Sequence, residues 1–207
     1  MTDVGTVANA PDEVELKAVV DDPAVARRRV EAAGGRLVFE GRLEDRRYDT
    51  AARSLAAVDY VLRLRVYHDA SGARAALDWK GPTRYEAGYK VREELTTRAD
   101  SPDALALILA RLGYVVTREI DREIAQYDLH GAIVRFEHYP RMDTLVEVEG
   151  PPATIEGAIG VLGIERRHFT TERLPDFIAR FQSRTGERAA VSKAELAGDY
   201  RFALEDA

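Results

Sequence analysis

The residues best able to do chemistry stand near the start of the chain, in Glu13-Val14-Glu15-Leu16-Lys17. A strand turns successive side chains to opposite faces, so Glu13, Glu15 and Lys17 share one face while Val14, Leu16 and Ala18 share the other. Two carboxylates and an ammonium on one short strip can hold a divalent metal and touch an anion bound to it. The pattern recurs with other signs in Leu62-Arg63-Leu64-Arg65-Val66, Lys90-Val91-Arg92-Glu93-Glu94 and Val146-Glu147-Val148-Glu149. Together Glu13, Glu15, Glu94, Glu147 and Glu149 offer carboxylate oxygens, and Lys17, Arg63, Arg65, Lys80, Lys90 and Arg92 offer cationic donors. Hard cations such as Mg2+ or Mn2+ favour oxygen ligands and bind through a few carboxylates plus phosphate oxygens. A polyphosphate needs many positive donors, because its charge is spread over several oxygens. One site holding both sets is what metal-assisted phosphoryl transfer requires.

The rest of the composition narrows the choices. Lysine occurs only at Lys17, Lys80, Lys90 and Lys193, and arginine supplies all other positive charge. Three of the four lysines therefore fall in the alternating strips, where a compact point charge differs from the planar arginine fork. The net charge of -6 argues against a general nucleic-acid binder. No apolar run reaches membrane-span length, and the first ten residues lack the basic start and apolar core of a signal peptide. With no cysteine, disulfides and thiolate chemistry are excluded, and a cytoplasmic location is the expectation. There is no Gly-rich loop ending in Gly-Lys-Ser/Thr and no Gly-x-Ser-x-Gly elbow. His68, His130, His138 and His168 show no metal-ligand spacing. Glu119, Asp121 and Glu123 read as a solvated strand face, and Trp79 as packed outward.

The elements that must position these strips are read from turns and periodicity. Strands are expected over 12–20, 36–50, 58–68, 73–80, 88–97, 114–128, 132–139 and 144–150. A helix follows the first strand, capped by Asp22 with Pro23 in its first turn and stopped by Gly34-Gly35. A second opens at Ser101-Pro102, where Leu105, Leu109 and Leu112 recur at helical spacing, and others fill 153–162 and 171–184. Residues 1–11 read as a flexible N-terminal tail, 12–185 as one domain and 186–207 as a polar tail or loose helix. An antiparallel set of this size can close into a barrel with helices outside and charge within. It can also stay an open sheet with its charged face in water, and pattern alone favours that open form.

In order, these residues resemble the CYTH domain, the triphosphate tunnel metalloenzymes. Glu13 to Lys17 resembles the family's ExExK signature. Tyr48-Asp49-Thr50, Leu62-Arg63-Leu64-Arg65, Trp79-Lys80-Gly81-Pro82, Lys90-Val91-Arg92-Glu93-Glu94 and Leu145-Val146-Glu147-Val148-Glu149 resemble its later elements in sequence. The segment from Leu162 through Phe181 is similar to the C-terminal part of the class IV adenylyl cyclase branch. The resemblance implies an α+β fold, an eight-stranded antiparallel barrel with helices packed outside and a charged tunnel within. It implies Glu13, Glu15, Glu147 and Glu149, with Glu94, as ligands of Mg2+ or Mn2+. It implies Lys17, Arg63, Arg65, Lys80, Lys90 and Arg92 as donors to a triphosphate, with Glu13, Glu15 and Lys17 at the catalytic centre. Three positions depart from the family pattern. Arg118 and Arg122 share a face on the sixth strand, and Arg122 is taken as the inward donor. Glu137 stands where an aspartate is common, and Arg47 where an aromatic is usual.

The expected function is metal-dependent hydrolysis of inorganic triphosphate or of a triphosphorylated metabolite or nucleotide. The alternative is cyclisation of ATP to cyclic AMP and pyrophosphate; a third is a non-catalytic polyphosphate or nucleotide sensor. The expected partner is a triphosphate-containing small molecule, with no nucleic acid or membrane, on a monomer or homodimer.

Overall fold

The structure, a computed structural model, describes residues 12–203; the expected tail of residues 1–11 lies outside the described residues. In chain order the elements are β1 (Asp12–Val19), α1 (Pro23–Ala32), β2 (Arg36–Thr50), β3 (Val61–Asp69), β4 (Gly72–Lys80), β5 (Arg84–Glu86), β6 (Tyr89–Ala99) and α2 (Pro102–Arg111). They continue as β7 (Tyr114–Leu129), β8 (Ala132–His138), β9 (Leu145–Glu149), α3 (Pro152–Leu162), α4 (Leu174–Thr185) and the short α5 (Lys193–Leu196). Among the described residues no helix is long and apolar enough to cross a membrane.

The strands form one antiparallel sheet in the order β1-β9-β8-β7-β2-β3-β4-β6, and β6 returns to pair with β1. Eight strands thus close a barrel, and β5 adds a ninth strand against β6. The open sheet favoured by pattern alone is not what forms. Closure sets Glu13 opposite Arg92 and Glu15 opposite Lys90, so opposite charges face each other across the seam. Alternation could not reveal this, because a solvated face and an ion-paired lumen read alike in sequence.

The apolar face of each strand points outward, beneath the helices. Asp22 accepts from the Val25 amide at 2.9 Å to start α1. Ile155, Ala158, Ile159 and Leu162 of α3 bury against Leu16, Val134, Val146 and Val148. Burying each of these isoleucine, leucine and valine side chains contributes about 1.5–3 kcal/mol. Helix α2 covers Leu64 and Ala75 through Leu109. Leu105 is partly buried there, but Leu112 lies past the helix and is 69% exposed. Helix α4 starts at Leu174 rather than 171, and packs Phe177, Ile178 and Phe181 on Ile120, Tyr139 and Leu145.

Two backbone details hold the long β2 in place. An added Cβ at Gly41 would lie 2.1 Å from the His68 carbonyl oxygen, so β2 and β3 approach more closely there than any side chain permits. Asp49 accepts from the amides of Leu55 and Ala56, both at 2.9 Å, and so ties the end of β2 to a single 3-10 turn at Ala56–Val58.

Beyond Gly186, residues 189–192 and Glu195 pack against the barrel, while Glu187, Arg188, Lys193 and Leu196 are exposed. Ala189, Ala190, Val191, Ser192 and Glu195 are buried. The Ala190 amide donates to the Arg141 carbonyl at 2.8 Å, and the Asp121 amide to the Val191 carbonyl at 2.8 Å. Asp121 itself is covered and paired with Arg42 at 2.6 Å, so this part of the strand face is not solvated.

Candidate active site

Register builds the site from the seam outward. On β1, Glu15 lies opposite Glu149 of β9 and Lys90 of β6, and Lys17 lies opposite Glu147. On β8, Arg135 lies opposite Glu147, and on β4 Lys80 lies opposite Glu94. On the far wall Asp45 of β2 lies opposite Arg65 of β3, and Asp78 of β4 opposite Arg63. Directly opposed residues share a face, so Glu13, Glu15, Lys17, Arg63, Arg65, Lys80, Lys90, Arg92, Glu94, Arg122, Glu147 and Glu149 all belong to the inner face. The register thereby puts these side chains on one inner wall, and all but Glu94 and Glu149 line the cavity.

Inside, charges are paired rather than scattered. Lys17 bridges Glu15, at 2.9 Å, and Glu147. Lys80 bridges Glu94, at 2.9 Å, and Glu13, while Lys90 reaches Glu15. Arg63 donates to Asp78 from Nε at 3.0 Å and Nη2 at 2.7 Å. Arg65 donates to Asp45 from Nε at 2.8 Å, and Arg122 donates to the same carboxylate at 3.0 Å. Arg122 also donates to Glu137 at 2.9 Å, and the Tyr139 hydroxyl donates to the second oxygen of Glu137 at 2.7 Å. Arg92 donates to the carbonyls of Gly81 at 2.7 Å and Asp59 at 2.6 Å. The Lys80-Gly81 pair therefore supplies a luminal ammonium and, one residue on, an anchor for a luminal guanidinium.

The electrostatics separate two regions. Burial pushes the Glu15 carboxyl up, but Lys17, Lys90 and Lys80 outweigh it and hold it well below its ordinary value. Burial likewise opposes ionisation of Asp45, yet Arg65, Arg122 and Arg63 keep it well below the usual range. Glu137 is drawn down to about 2: burial is overcome by Arg122, Lys17 and Arg135. Glu149 goes the other way, up to about 7, because burial and repulsion from Glu13 and Glu147 exceed the help of Arg135, whose Nη2 is 3.8 Å away. Burial is the larger part of that upward push, with Glu13 and Glu147 adding to it.

The donor set bears on a metal. Among the described residues, no three of His, Asp or Glu stand ready-grouped to hold a metal ion, because the glutamates lean on lysines. The donor set is nonetheless all carboxylate, which suits a hard divalent cation. Glu13, Glu15, Glu147 and Glu94 are each paired with a lysine, so to hold such an ion these carboxylates, with Glu149, would have to exchange those contacts for it.

The cavity inside the barrel is about 270 Å3. Its lining includes eleven cationic side chains against seven acidic ones. Arg53, Asp59, Tyr60, Arg173 and Leu174 border it beside the last residues of β2 and the start of α4. Toward the opposite end of the barrel lies an apolar cluster of Phe39, Leu43, Ile124 and Tyr67, with Arg74 stacked 4.9 Å from Phe39 and 4.8 Å from Tyr67.

Sequence reasoning passed over Asp45, Asp78, Arg135 and Tyr139 as site residues. Asp78 carried a signal, standing two residues before Lys80 on the same strand face. Tyr139 carried none, since it lies just past a strand end. Trp79 packs outward against Tyr60, ring centroids 5.0 Å apart, as its alternation with Lys80 indicated.

Comparison with known proteins agrees with this geometry. The CYTH domain profile matches residues 12–149. No curated protein gives a significant sequence match. Among solved structures, a candidate adenylate cyclase from Vibrio parahaemolyticus aligns at TM-score 0.70 and 18% identity, covering 82% of this chain and 99% of that one. PH1819 from Pyrococcus horikoshii OT3 aligns at TM-score 0.67 and 20% identity, covering 81% and 98%. A candidate adenylyl cyclase from Hippeastrum with a dominant triphosphatase activity aligns at TM-score 0.58 and 21% identity, covering 83% and 95%. At these identities the likeness speaks to the fold.

Proposed function

This chain belongs to the CYTH family, and from that membership we propose that it is a metal-dependent hydrolase of triphosphate substrates, either inorganic triphosphate or a triphosphorylated metabolite or nucleotide. Family members are triphosphatases or adenylyl cyclases that depend on a metal and bind triphosphates. The observation that carries the reading is the convergence of Arg63, Arg65, Lys80, Lys90, Arg92 and Arg122 on one enclosed cavity beside Glu13, Glu15 and Glu147. Many cationic donors next to carboxylates suit a polyanion that arrives with a divalent metal.

In this reading Arg63, Arg65, Lys80, Lys90, Arg92 and Arg122 hold phosphoryl oxygens. A guanidinium has five N–H donors. Asp78 and Asp45 therefore fix Arg63 and Arg65 while leaving donors for the substrate. Donors fixed before the substrate arrives cost no reorganisation as charge develops. Glu13, Glu15, Glu147 and Glu149, with Glu94, would hold Mg2+ or Mn2+. When bound, the ion would neutralise phosphoryl charge and orient the attacking water. Lys17, which bridges Glu15 and Glu147, would donate to a phosphoryl oxygen beside those carboxylates.

A second reading is cyclisation of ATP, favoured by the uncharged wall that Tyr60, Val61, Leu62 and Leu174 give one side of the cavity. The same grip would hold the triphosphate while the ribose hydroxyl attacks the innermost phosphorus and pyrophosphate leaves.

The test is purified protein with Mg2+ or Mn2+, offered inorganic triphosphate and ATP, with products resolved. Phosphate released from triphosphate supports hydrolysis, and cyclic AMP with pyrophosphate supports the second reading. Glu15→Gln and Glu149→Gln should each lower turnover by at least about 100-fold, a loss of about 3 kcal/mol of barrier lowering, while circular dichroism stays native. Near-normal rates in both variants at limiting metal would remove the metal assignment.

A further inference from the structure

Helix α2 is apolar on both of its faces. Between Asp103 and Arg111 it reads Ala104-Leu105-Ala106-Leu107-Ile108-Leu109-Ala110, a run without a polar side chain. Leu105, Ala106 and Leu109 turn toward the barrel and pack over Leu64 and Ala75. Leu107 and Ile108 turn the other way, 57% and 54% exposed, with the exposed Ala104 beside them and Leu112 just past the last turn. The other surface helices carry charge on their outer sides: Arg28 and Glu31 on α1, Arg180 and Arg184 on α4. A helix that is apolar all round belongs in an interior, and the barrel covers only one side of α2.

The ends of the exposed strip indicate what covers it. Asp103, Leu107 and Arg111 follow one another at intervals of four residues, so they form one line along the outer face. The line is acidic at its start, apolar at its middle and basic at its end. Asp103 and Arg111 are exposed, and neither has an ion-pair partner among the described residues. A two-fold axis at Leu107 reverses the line: Asp103 of one copy then meets Arg111 of the other, twice, and Leu107 meets Leu107. Lipid fits the strip less well. A helix that lies in a membrane surface carries a strongly charged, Lys/Arg-rich polar face, whereas this one has a single acid and a single base on a chain of net charge -6.

We propose that the outer face of α2 is a self-association surface, and that its partner is a second copy of this chain with α2 packed antiparallel on the same strip. The helix lies over the outer side of β3 and β4, so each copy keeps its own barrel interior.

The test is sedimentation velocity of the full chain over a range of concentrations. One short helix pair falls below the roughly 800 Å2 per partner of a standard interface, so a monomer–dimer equilibrium with Kd of about 10 μM is expected. Leu107→Glu, at an exposed position, should raise Kd by at least about tenfold while circular dichroism stays native. Charge reversal tests the pairing itself. Asp103→Arg and Arg111→Asp should each raise Kd by at least about tenfold, because each sets like charges together twice. An equimolar mixture of the two variants should dimerise with Kd within about threefold of the wild type, because in the mixed pair both contacts join opposite charges. A substitution that merely harmed folding would leave the mixture as monomeric as its components, and that result would overturn the proposal. So would a wild-type chain still monomeric at about 1 mM, or Leu107→Glu associating as tightly as the wild type. A monomeric wild type that co-sediments with phosphatidylglycerol vesicles, and loses this with Leu107→Glu, would give the strip to lipid instead.

Discussion

Replacing Asp45 with asparagine removes one negative charge from the most heavily shared carboxylate of the barrel wall. Asp45 is 2% exposed and accepts from Arg65 at 2.8 Å and Arg122 at 3.0 Å, with Arg63 at 3.7 Å. Asparagine has nearly the same shape, so the change isolates charge from packing. Removing one partner of a buried pair typically costs about 3–5 kcal/mol, because the other partner stays buried without its counter-ion. Against a total stability of roughly 5–15 kcal/mol this is a large fraction. For a chain of this size, 1 kcal/mol shifts Tm by about 2–4 °C, so Tm should fall by about 10 °C. The assay is thermal unfolding followed by circular dichroism, with and without tripolyphosphate. The uncovered guanidiniums should now favour the anion, so ligand addition should raise Tm by more in Asp45→Asn than in the wild type. Pairing Asp45→Asn with Arg65→Met should recover part of the loss, in the manner of a double-mutant cycle. A Tm within about 2 °C of wild type, together with an unchanged ligand response, would refute a charge-compensated interior.

Two other outcomes follow from the same arrangement. Glu137 has its carboxyl held near 2, below its ordinary 4.5, so its contribution to stability is complete above about pH 4.5 and is lost as pH falls toward 2. The loss is on the order of 3 kcal/mol. The urea midpoint should drop over this window in the wild type and drop less in Glu137→Gln; identical pH profiles would contradict the assignment. Arg63→Ala should raise KM for triphosphate by about tenfold or more with a smaller effect on kcat, read from initial rates. An unchanged KM would take Arg63 out of the phosphate grip.

Much of the barrel was legible because strand alternation is simple. Glu13 to Lys17 and Leu62 to Val66 each display their period of two without help from the rest of the chain, and the β1 and β3 faces follow from it. Enclosure was not legible from pattern. Whether Arg63 and Arg65 meet water or a lumen depends on β6 returning to β1, a contact between residues about eighty positions apart in sequence. Asp45 was hidden for a related reason. It stands in Glu44-Asp45-Arg46-Arg47, where a run of charges on a long strand reads as a solvated stretch, and only its register with Arg65 shows which of the two faces it joins. The packing of the C-terminal segment was not legible because its few apolar residues, Ala189 to Val191, are too short a run to show periodicity. Their burial comes from a bridge to Arg141 and from the Glu195–Arg118 pair, neither of which is local.

The most direct measurement is a crystal structure of the protein soaked with tripolyphosphate and Mn2+, with anomalous diffraction to locate the metal. The expected result is phosphoryl oxygens inside the barrel against Lys17, Arg63 and Arg65, and manganese beside Glu13, Glu15, Glu147 and Glu149, with the lysine contacts to those carboxylates rearranged. An anion bound only on the outer surface, or manganese anywhere other than this group of glutamates, would contradict it.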